Sequence, residues 1–264
     1  MPTTSPLPVT IEGTPIQTSV TFHGDWDSTS TPVILIHGTG GTTQSNYAPV
    51  LPLLSAHHRL LGVDTRPDDA ETVGLDQLHH SIESAITSSV DSDQVDLIGY
   101  SLGAVIAASL AARMGRQVRR LIALGGWART DPQRLLRNQL WLDLNAASPE
   151  LLAKYWVLSS YGHIYLAALE PERIAAMAAA TRVRSGTVAE MHLNRRLDIR
   201  EQLPKITAKT MVIGGSQDQT IPLPHSAELA AGIPGADLVV VDAGHALMAE
   251  RPGEVSGLML DFLS

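Results

Sequence analysis

The segment GYSLG, residues 99–103, places a serine between two glycines. An apolar, strand-like run precedes the segment and an Ala-rich, helix-like run follows it. A serine in such a sharp strand-to-helix turn takes a strained backbone position, which small residues two places away on each side permit. Its hydroxyl is then presented at the edge of a sheet, beside the free N–H groups of the next helix. This arrangement suits nucleophilic attack, whereas the alternative is a serine that merely caps the helix.

A serine hydroxyl needs a base within hydrogen-bond reach, and that base needs a group that fixes its tautomer. Two later segments contain such residues: GGSQDQTIP holds Asp218, and VDAGHALMAERP holds His245. Each segment follows an apolar, strand-like run. Because the carboxyl ends of parallel strands share one edge of a sheet, we expect Ser101, Asp218 and His245 to lie together there.

The rest of the chain alternates short apolar runs with longer helical stretches, which predicts an α/β fold with a mostly parallel sheet flanked by helices. Near-continuously apolar runs, typical of strands covered on both faces, lie at 33–36, 59–63, 94–98, 119–124, 209–213 and 236–241. Apolar residues recur at helical spacing at 44–55, 75–89, 102–114, 225–231 and 253–263. VTIEG (9–13) and QTSVTF (17–22) are predicted to form an antiparallel pair at the edge.

Residues 129–200 break the alternation, because they contain no good strand and three helix-start dipeptides, Asp131-Pro132, Ser148-Pro149 and Glu170-Pro171. We predict an inserted cap of three or four helices here, with 1–128 and 201–264 forming the core domain. The insert carries ten Lys or Arg against seven Asp or Glu, a net charge of +3 within a chain of net charge −8.

Together these features resemble the α/β-hydrolase superfamily from about residue 15 onward. The features are HGTGG (37–41) after the third strand, GYSLG, the helical insert, GGSQDQTIP, and DAGHALMAERP before a final helix. The resemblance implies the α/β-hydrolase fold, with Ser101 as nucleophile, His245 as general base and then acid, and Asp218 as its carboxylate partner. Asp242 and Asp131 are alternative acids, and Asp218 is preferred because GSQDQTIP matches the family's G-x-x-D-x-x-x-P pattern.

The resemblance also implies two backbone N–H groups that stabilise an oxyanion. One belongs to Leu102, directly after the nucleophile, and the other to Thr39 in the loop HGTGG, with Gly40 as the fallback. His37 is expected to hold this loop in shape. The loop is not expected to bind a nucleotide, because G-x-G-x-x-G would need a glycine where Thr43 stands.

The amino-acid composition limits the classes of ligand and cofactor that the protein is expected to bind. The 264 residues contain no cysteine, which excludes disulfides, Cys-ligated zinc and a Cys nucleophile. With no Lys/Arg run, the chain lacks the clustered positive charge that nucleic acids and anionic membranes require. We expect a cytoplasmic protein that acts on a small-molecule acyl substrate without a metal or another cofactor, since the ten histidines form no recognisable metal-ligand cluster.

Aromatic residues indicate where that substrate binds. We predict a pocket lined by Gly38, Tyr100, Trp127, Trp141 and Trp156, although the aromatic residues of the insert could also simply pack its helices. The arginines of the insert are expected to form a solvated face. The alternative is that they meet an anionic substrate or an acidic acyl carrier protein: Arg134, Arg137, Arg182, Arg184, Arg195 and Arg196.

The predicted function is a serine hydrolase that cleaves a carboxylic ester, lactone or thioester through an acyl-enzyme on Ser101. Two alternatives stay open. One is a biosynthetic thioesterase or cyclase, in which a hydroxyl of the substrate, rather than water, takes the acyl group. The other is a non-catalytic ligand-binding member of the same fold.

Overall fold

The computed structural model describes residues 7–9, 16–68 and 72–264. The strands of this part are β1 (Leu7–Val9), β2 (Gln17–His23), β3 (Val33–Ile36), β4 (Leu60–Arg66), β5 (Val95–Tyr100), β6 (Val118–Leu124), β7 (Lys209–Gly215) and β8 (Asp237–Val241). They form one sheet in the order β1-β2-β4-β3-β5-β6-β7-β8. Strand β2 is antiparallel to both of its neighbours, and all other pairs are parallel. The prediction of an α/β fold with a mostly parallel sheet is therefore confirmed.

The predicted antiparallel pair at the edge of the sheet is present, but QTSVTF pairs with a segment other than VTIEG. QTSVTF lies in β2, which pairs with Leu7–Val9. Of the predicted strand VTIEG only Val9 is part of that pairing, and the remainder of VTIEG lies outside the described residues.

Side chains alternate across the sheet, and both faces are buried. In β3, Ile34 and Ile36 join one apolar cluster while Val33 and Leu35 join the cluster on the opposite face. All four side chains are at most 2% exposed. A strand covered on both faces has no polar positions, which explains its uninterrupted run of apolar residues.

Helices cover the two faces and form the insert. Those outside the insert are α1 (Thr43–Tyr47), α2 (Leu51–Ser55), α3 (Leu75–Ser89), α4 (Leu102–Met114), α10 (Leu223–Gly232), α11 (Leu247–Glu250) and α12 (Pro252–Leu263). The expectation of one helix over 44–55 is wrong, because the chain turns between α1 and α2. Pro49 lies in this turn and has no N–H to continue a helix. No helix of the described residues is both long and apolar enough to cross a bilayer.

Between β6 and β7 the chain forms five α-helices rather than the three or four predicted, in a stretch that is described throughout. They are α5 (Pro132–Ala147), α6 (Pro149–Ser160), α7 (His163–Ala167), α8 (Pro171–Ala180) and α9 (Thr187–Asn194). Each of the three predicted start dipeptides begins a helix, and Asp131 and Ser148 cap theirs with side-chain oxygens. An isolated bridge between Arg129 and Asp198 joins the two ends of this segment, which we call the insert (residues 129–200).

Candidate active site

Ser101 lies in the turn between β5 and α4 with φ 57° and ψ −119°, and it is the one non-glycine residue with positive φ in the described part of the chain. Such a conformation is costly for a residue with a Cβ atom. Both flanking glycines are required by close packing. A Cβ atom on Gly99 would clash with the carbonyl oxygen of Gly103, and one on Gly103 would clash with the carbonyl oxygen of Ile36. The packing therefore excludes a side chain at either glycine position.

Ser101, His245 and Asp218 form a continuous hydrogen-bonded chain. His245 Nε2 lies 3.0 Å from Ser101 Oγ, and His245 Nδ1 lies 2.7 Å from Asp218 Oδ2. Because the Asp218 carboxylate only accepts, Nδ1 carries the imidazole proton and Nε2 is left to accept the proton of the serine hydroxyl. All three side chains are buried.

The Asp218 carboxylate is also fixed from the other side. Its Oδ1 accepts the backbone N–H groups of Thr220 and Ile221, at 2.8 and 2.7 Å. The two alternative acids are engaged elsewhere. Asp131 caps α5 by accepting the N–H of Arg134, and Asp242 accepts from Ser216 Oγ. Asp218 is therefore the carboxylate that the structure brings to His245.

The loop of residues 37–41 lies beside Ser101 and is held by hydrogen bonds. His37 donates from Nδ1 to the carbonyl of Gly38 at 2.7 Å, and its Nε2 accepts the N–H of Thr65. The N–H of Gly40 donates to Glu190 Oε2 at 2.6 Å, so this fallback oxyanion donor is already in use. In the described hydrogen-bond network no partner is found for the N–H of Thr39 or of Leu102. These two groups are the donors that the sequence predicts for an oxyanion.

The comparisons with known proteins agree with this geometry. The family profile described as Alpha/beta hydrolase family matches residues 33–258. The chain belongs to the α/β hydrolase family. A curated relative of this α/β hydrolase is a pyrrolizixenacetamide deacetylase of Xenorhabdus hominickii, 24% identical, with 88% of this chain and 90% of the relative covered. Another is a 2-hydroxymuconate semialdehyde hydrolase of Pseudomonas sp. strain CF600, 28% identical, with 88% and 87% covered.

Solved structures show the same fold. The enol-lactonase from Burkholderia xenovorans LB400 superposes on this α/β hydrolase with a TM-score of 0.83 at 23% identity, covering 97% of this chain and 99% of the lactonase. The predicted resemblance is thus confirmed, and the protein is a hydrolase.

The imidazole of His245 packs against Gly125, which directly follows β6. A Cβ atom on Gly125 would lie 3.0 Å from His245 Cε1 and 3.1 Å from Nδ1. Gly125 also has a positive φ of 55°, and its N–H donates to the carbonyl of Ile213. A side chain at this position would therefore press against the imidazole ring.

Replacing Gly125 with alanine is expected to lower kcat about 10-fold, because the added methyl group shifts the imidazole by a few tenths of an ångström and a full 1 Å displacement can cost about 100-fold. Gly115→Ala is the matched control. Gly115 has a φ of 56°, but a Cβ atom there meets nothing within 4 Å. We expect it to cost about 1–2 kcal/mol of stability without lowering kcat. Equal kcat values for the two variants would contradict this role of Gly125.

A cavity of about 100 Å³ opens beside Ser101 and His245. Each of the five residues predicted to line a substrate pocket lies on its wall: Gly38, Tyr100, Trp127, Trp141 and Trp156. Trp141 and Trp156 meet edge to face, with ring centroids 5.8 Å apart. A second cavity of about 200 Å³ shares Tyr100 and Trp156 with the first, but its lining does not include Ser101.

Four of the six arginines expected on a solvated face of the insert do not line the cavity beside Ser101. Arg182 and Arg196 are exposed, and Arg184 and Arg195 are partly buried. Arg134 and Arg137 differ from them, because both line the wall of this cavity. For these two residues the expectation of a solvated face is wrong. Their side of α5 also carries the buried Trp141, so it faces the core of the protein.

Sequence reasoning missed two contacts that hold the His245 loop. The hydroxyl of Tyr100 donates to the carbonyl oxygen of His245 at 3.1 Å, a role that its assignment to the pocket wall did not include. The carboxylate of Glu250 accepts the N–H groups of Gly244 and Gly162, which joins the loop to the insert. Burial raises the pKa of Glu250. The acidic residue in MAERP after His245 was the available signal for this contact.

Proposed function

We propose that this α/β hydrolase cleaves a carboxylic ester, lactone or thioester through an acyl-enzyme intermediate on Ser101. The observation that carries the proposal is the chain of hydrogen bonds from Asp218 through His245 to Ser101. The direction of these hydrogen bonds leaves Nε2 of His245 free to take the serine proton. Two N–H groups beside it are available to an oxyanion.

In the proposed reaction, Ser101 Oγ attacks the carbonyl carbon while its proton moves to His245 Nε2. The N–H groups of Thr39 and Leu102 stabilise the negative charge on the former carbonyl oxygen, and one such donor typically contributes about 3 kcal/mol. The leaving alcohol or thiol takes the proton from Nε2 as the tetrahedral intermediate collapses. Water then attacks the acyl-enzyme by the same route, giving the free acid and restoring the hydroxyl of Ser101.

The curated relatives support hydrolysis of ester-like and amide-like bonds as a class. One is named for removal of an acetyl group and the other for hydrolysis of a semialdehyde. We infer that the chemistry is shared and that the walls of the cavity select the substrate. The insert acts as the cap in this proposal, because α5 and α6 contribute Arg137, Trp141 and Trp156 to the cavity.

Labelling with a serine-directed phosphonate tests the proposal. We expect one adduct per chain, located on Ser101 by peptide mass spectrometry, and none in Ser101→Ala. Ser160→Ala is the matched control, because Ser160 lines the same cavity but the Nε2 atom of His245 is hydrogen-bonded to Ser101. This variant should label as the wild type does. An adduct on another residue of the wild type would refute Ser101 as the nucleophile.

A further inference from the structure

Two arginines of α5 point toward the same residue of the Asp218 loop. Arg134 is 2% exposed, its guanidinium lies 3.8 Å above the Trp127 ring, and Nη1 donates to the carbonyl of Thr220 at 3.0 Å. Arg137, one turn later, donates from Nη2 to Thr220 Oγ1 at 3.2 Å. The positive charges of both side chains thus lie at the wall of the cavity that also contains Ser101.

Neither guanidinium group forms an ion pair with a described residue. In the described part of the chain no ion pair involves Arg134 or Arg137, and the cavity wall contains no Asp or Glu. The carboxylates of Asp218 and Asp131 act against burial to raise the pKa of Arg134, and Asp218 also raises that of Arg137, but neither carboxylate contacts a guanidinium group. Both oxygens of Asp218 instead accept hydrogen bonds from His245, Thr220 and Ile221. Both guanidinium groups therefore lie near carboxylates without being in contact with one.

The guanidinium groups also keep unused donors. The Nε atoms of Arg134 and Arg137 are buried and have no hydrogen-bond partner. Burial lowers the pKa of Arg134 to about 9 and also lowers the pKa of Arg137, yet at neutral pH Arg134 stays charged. Burying a cation that has no ion-pair partner is unfavourable. Hydrogen bonds to Thr220 alone do not require two cations, because a neutral donor would serve equally well.

We propose that Arg134 and Arg137 bind the carboxylate of an anionic acyl group while its ester or thioester carbonyl lies at Ser101. The substrate is then a monoester or monothioester of a short dicarboxylic acid, since the cavity shared by Ser101 and the arginines holds about 100 Å³. Arginine suits this task because its planar fork matches a carboxylate. The leaving group extends into the neighbouring cavity beside Tyr100 and Trp156. This inference rests on the proposed function.

A matched pair of substrates tests the preference for charge. We expect the wild type to hydrolyse the 4-nitrophenyl monoester of glutaric acid with a kcat/KM at least about 10-fold above that of 4-nitrophenyl pentanoate, which has the same chain length without the charge. Arg137→Met should remove most of this ratio, mainly through KM, and Arg137→Lys should restore part of it. Arg182→Met is the control, because it removes an exposed charge of the same insert and should leave the ratio unchanged.

A binding measurement separates this inference from the proposed chemistry. In Ser101→Ala we expect glutarate to change the fluorescence of Trp127, which lies beneath Arg134. Adding Arg137→Met to this variant should weaken glutarate binding by a factor similar to the one that it removes from the kcat/KM ratio of the two esters. Glutarate binding without hydrolysis of either ester would refute the proposed function and leave the anion site standing. Hydrolysis of both esters with no preference and no glutarate binding would overturn the anion site alone. Tighter binding of inorganic phosphate, or a preference only for a carboxylate in the leaving group, would also overturn it.

Discussion

Replacing Ser101 with glycine is expected to abolish ester hydrolysis and at the same time to make the protein harder to unfold. Loss of the nucleophile should lower kcat by at least about 10⁴-fold. The gain in stability follows from the backbone, because Ser101 has a φ of 57° and a ψ of −119°, where a Cβ atom is strained. Relief of such strain contributes about 1–3 kcal/mol, from which the greater flexibility of glycine in the unfolded chain subtracts up to about 1 kcal/mol.

Ser101→Ala is the control for both effects, since it removes the same hydroxyl but keeps the Cβ atom. It should be equally inactive, and Ser101→Gly should exceed its free energy of unfolding, measured with urea, by about 1 kcal/mol. If the glycine variant were the less stable of the two, the turn would not be strained. If either variant kept its activity, another residue would be the nucleophile.

Asp218→Asn is expected to lower kcat at neutral pH by about 10³–10⁴-fold with little change in the fold. The asparagine oxygen can still accept the N–H groups of Thr220 and Ile221, as Asp218 Oδ1 does. Its amide NH₂ then faces His245 Nδ1, where a second donor is repelled. The imidazole must place its proton on Nε2, which can no longer accept the proton of Ser101.

The matched control for this substitution is Asp242→Asn, the other aspartate close to His245 in sequence. Asp242 accepts from Ser216 Oγ and Gln217 Nε2 and does not contact the imidazole. Its substitution should change kcat less than about 3-fold, within the range of ordinary surface substitutions. Comparable losses in steady-state assays of the two variants would contradict the assignment of Asp218.

The sequence predicts the features that depend on the sheet. Apolar residues at successive positions of β3 mark a strand buried on both faces, and strands of this kind can be recognised without knowing their neighbours. Once the strands are known to be parallel, the residues after β5, β7 and β8 must meet at one edge. The proximity of Ser101, Asp218 and His245 thus follows from local patterns and one rule of topology.

Other features depend on contacts between distant segments and leave no local signal. Arg134 and Arg182 are both arginines of the same insert, but one is buried against Trp127 and the other is exposed. The N–H of Gly40 is occupied by Glu190, which lies 150 residues later in the chain. Whether a side chain is buried or a donor is occupied is decided by packing, so the sequence alone leaves both questions open.

The contacts of Glu250 have a consequence for motion. Its carboxylate joins Gly162 of the insert to Gly244, and Ala246 N–H donates to the carbonyl of Ser160, so the insert is bonded on both sides of His245. A hinge movement that lifted this part of the insert would break these bonds and release the imidazole loop. Substrate and product would then exchange only while the insert is lifted, and the reaction would proceed only while the insert is closed. The enzyme would therefore be inactive whenever its site was open to bulk water.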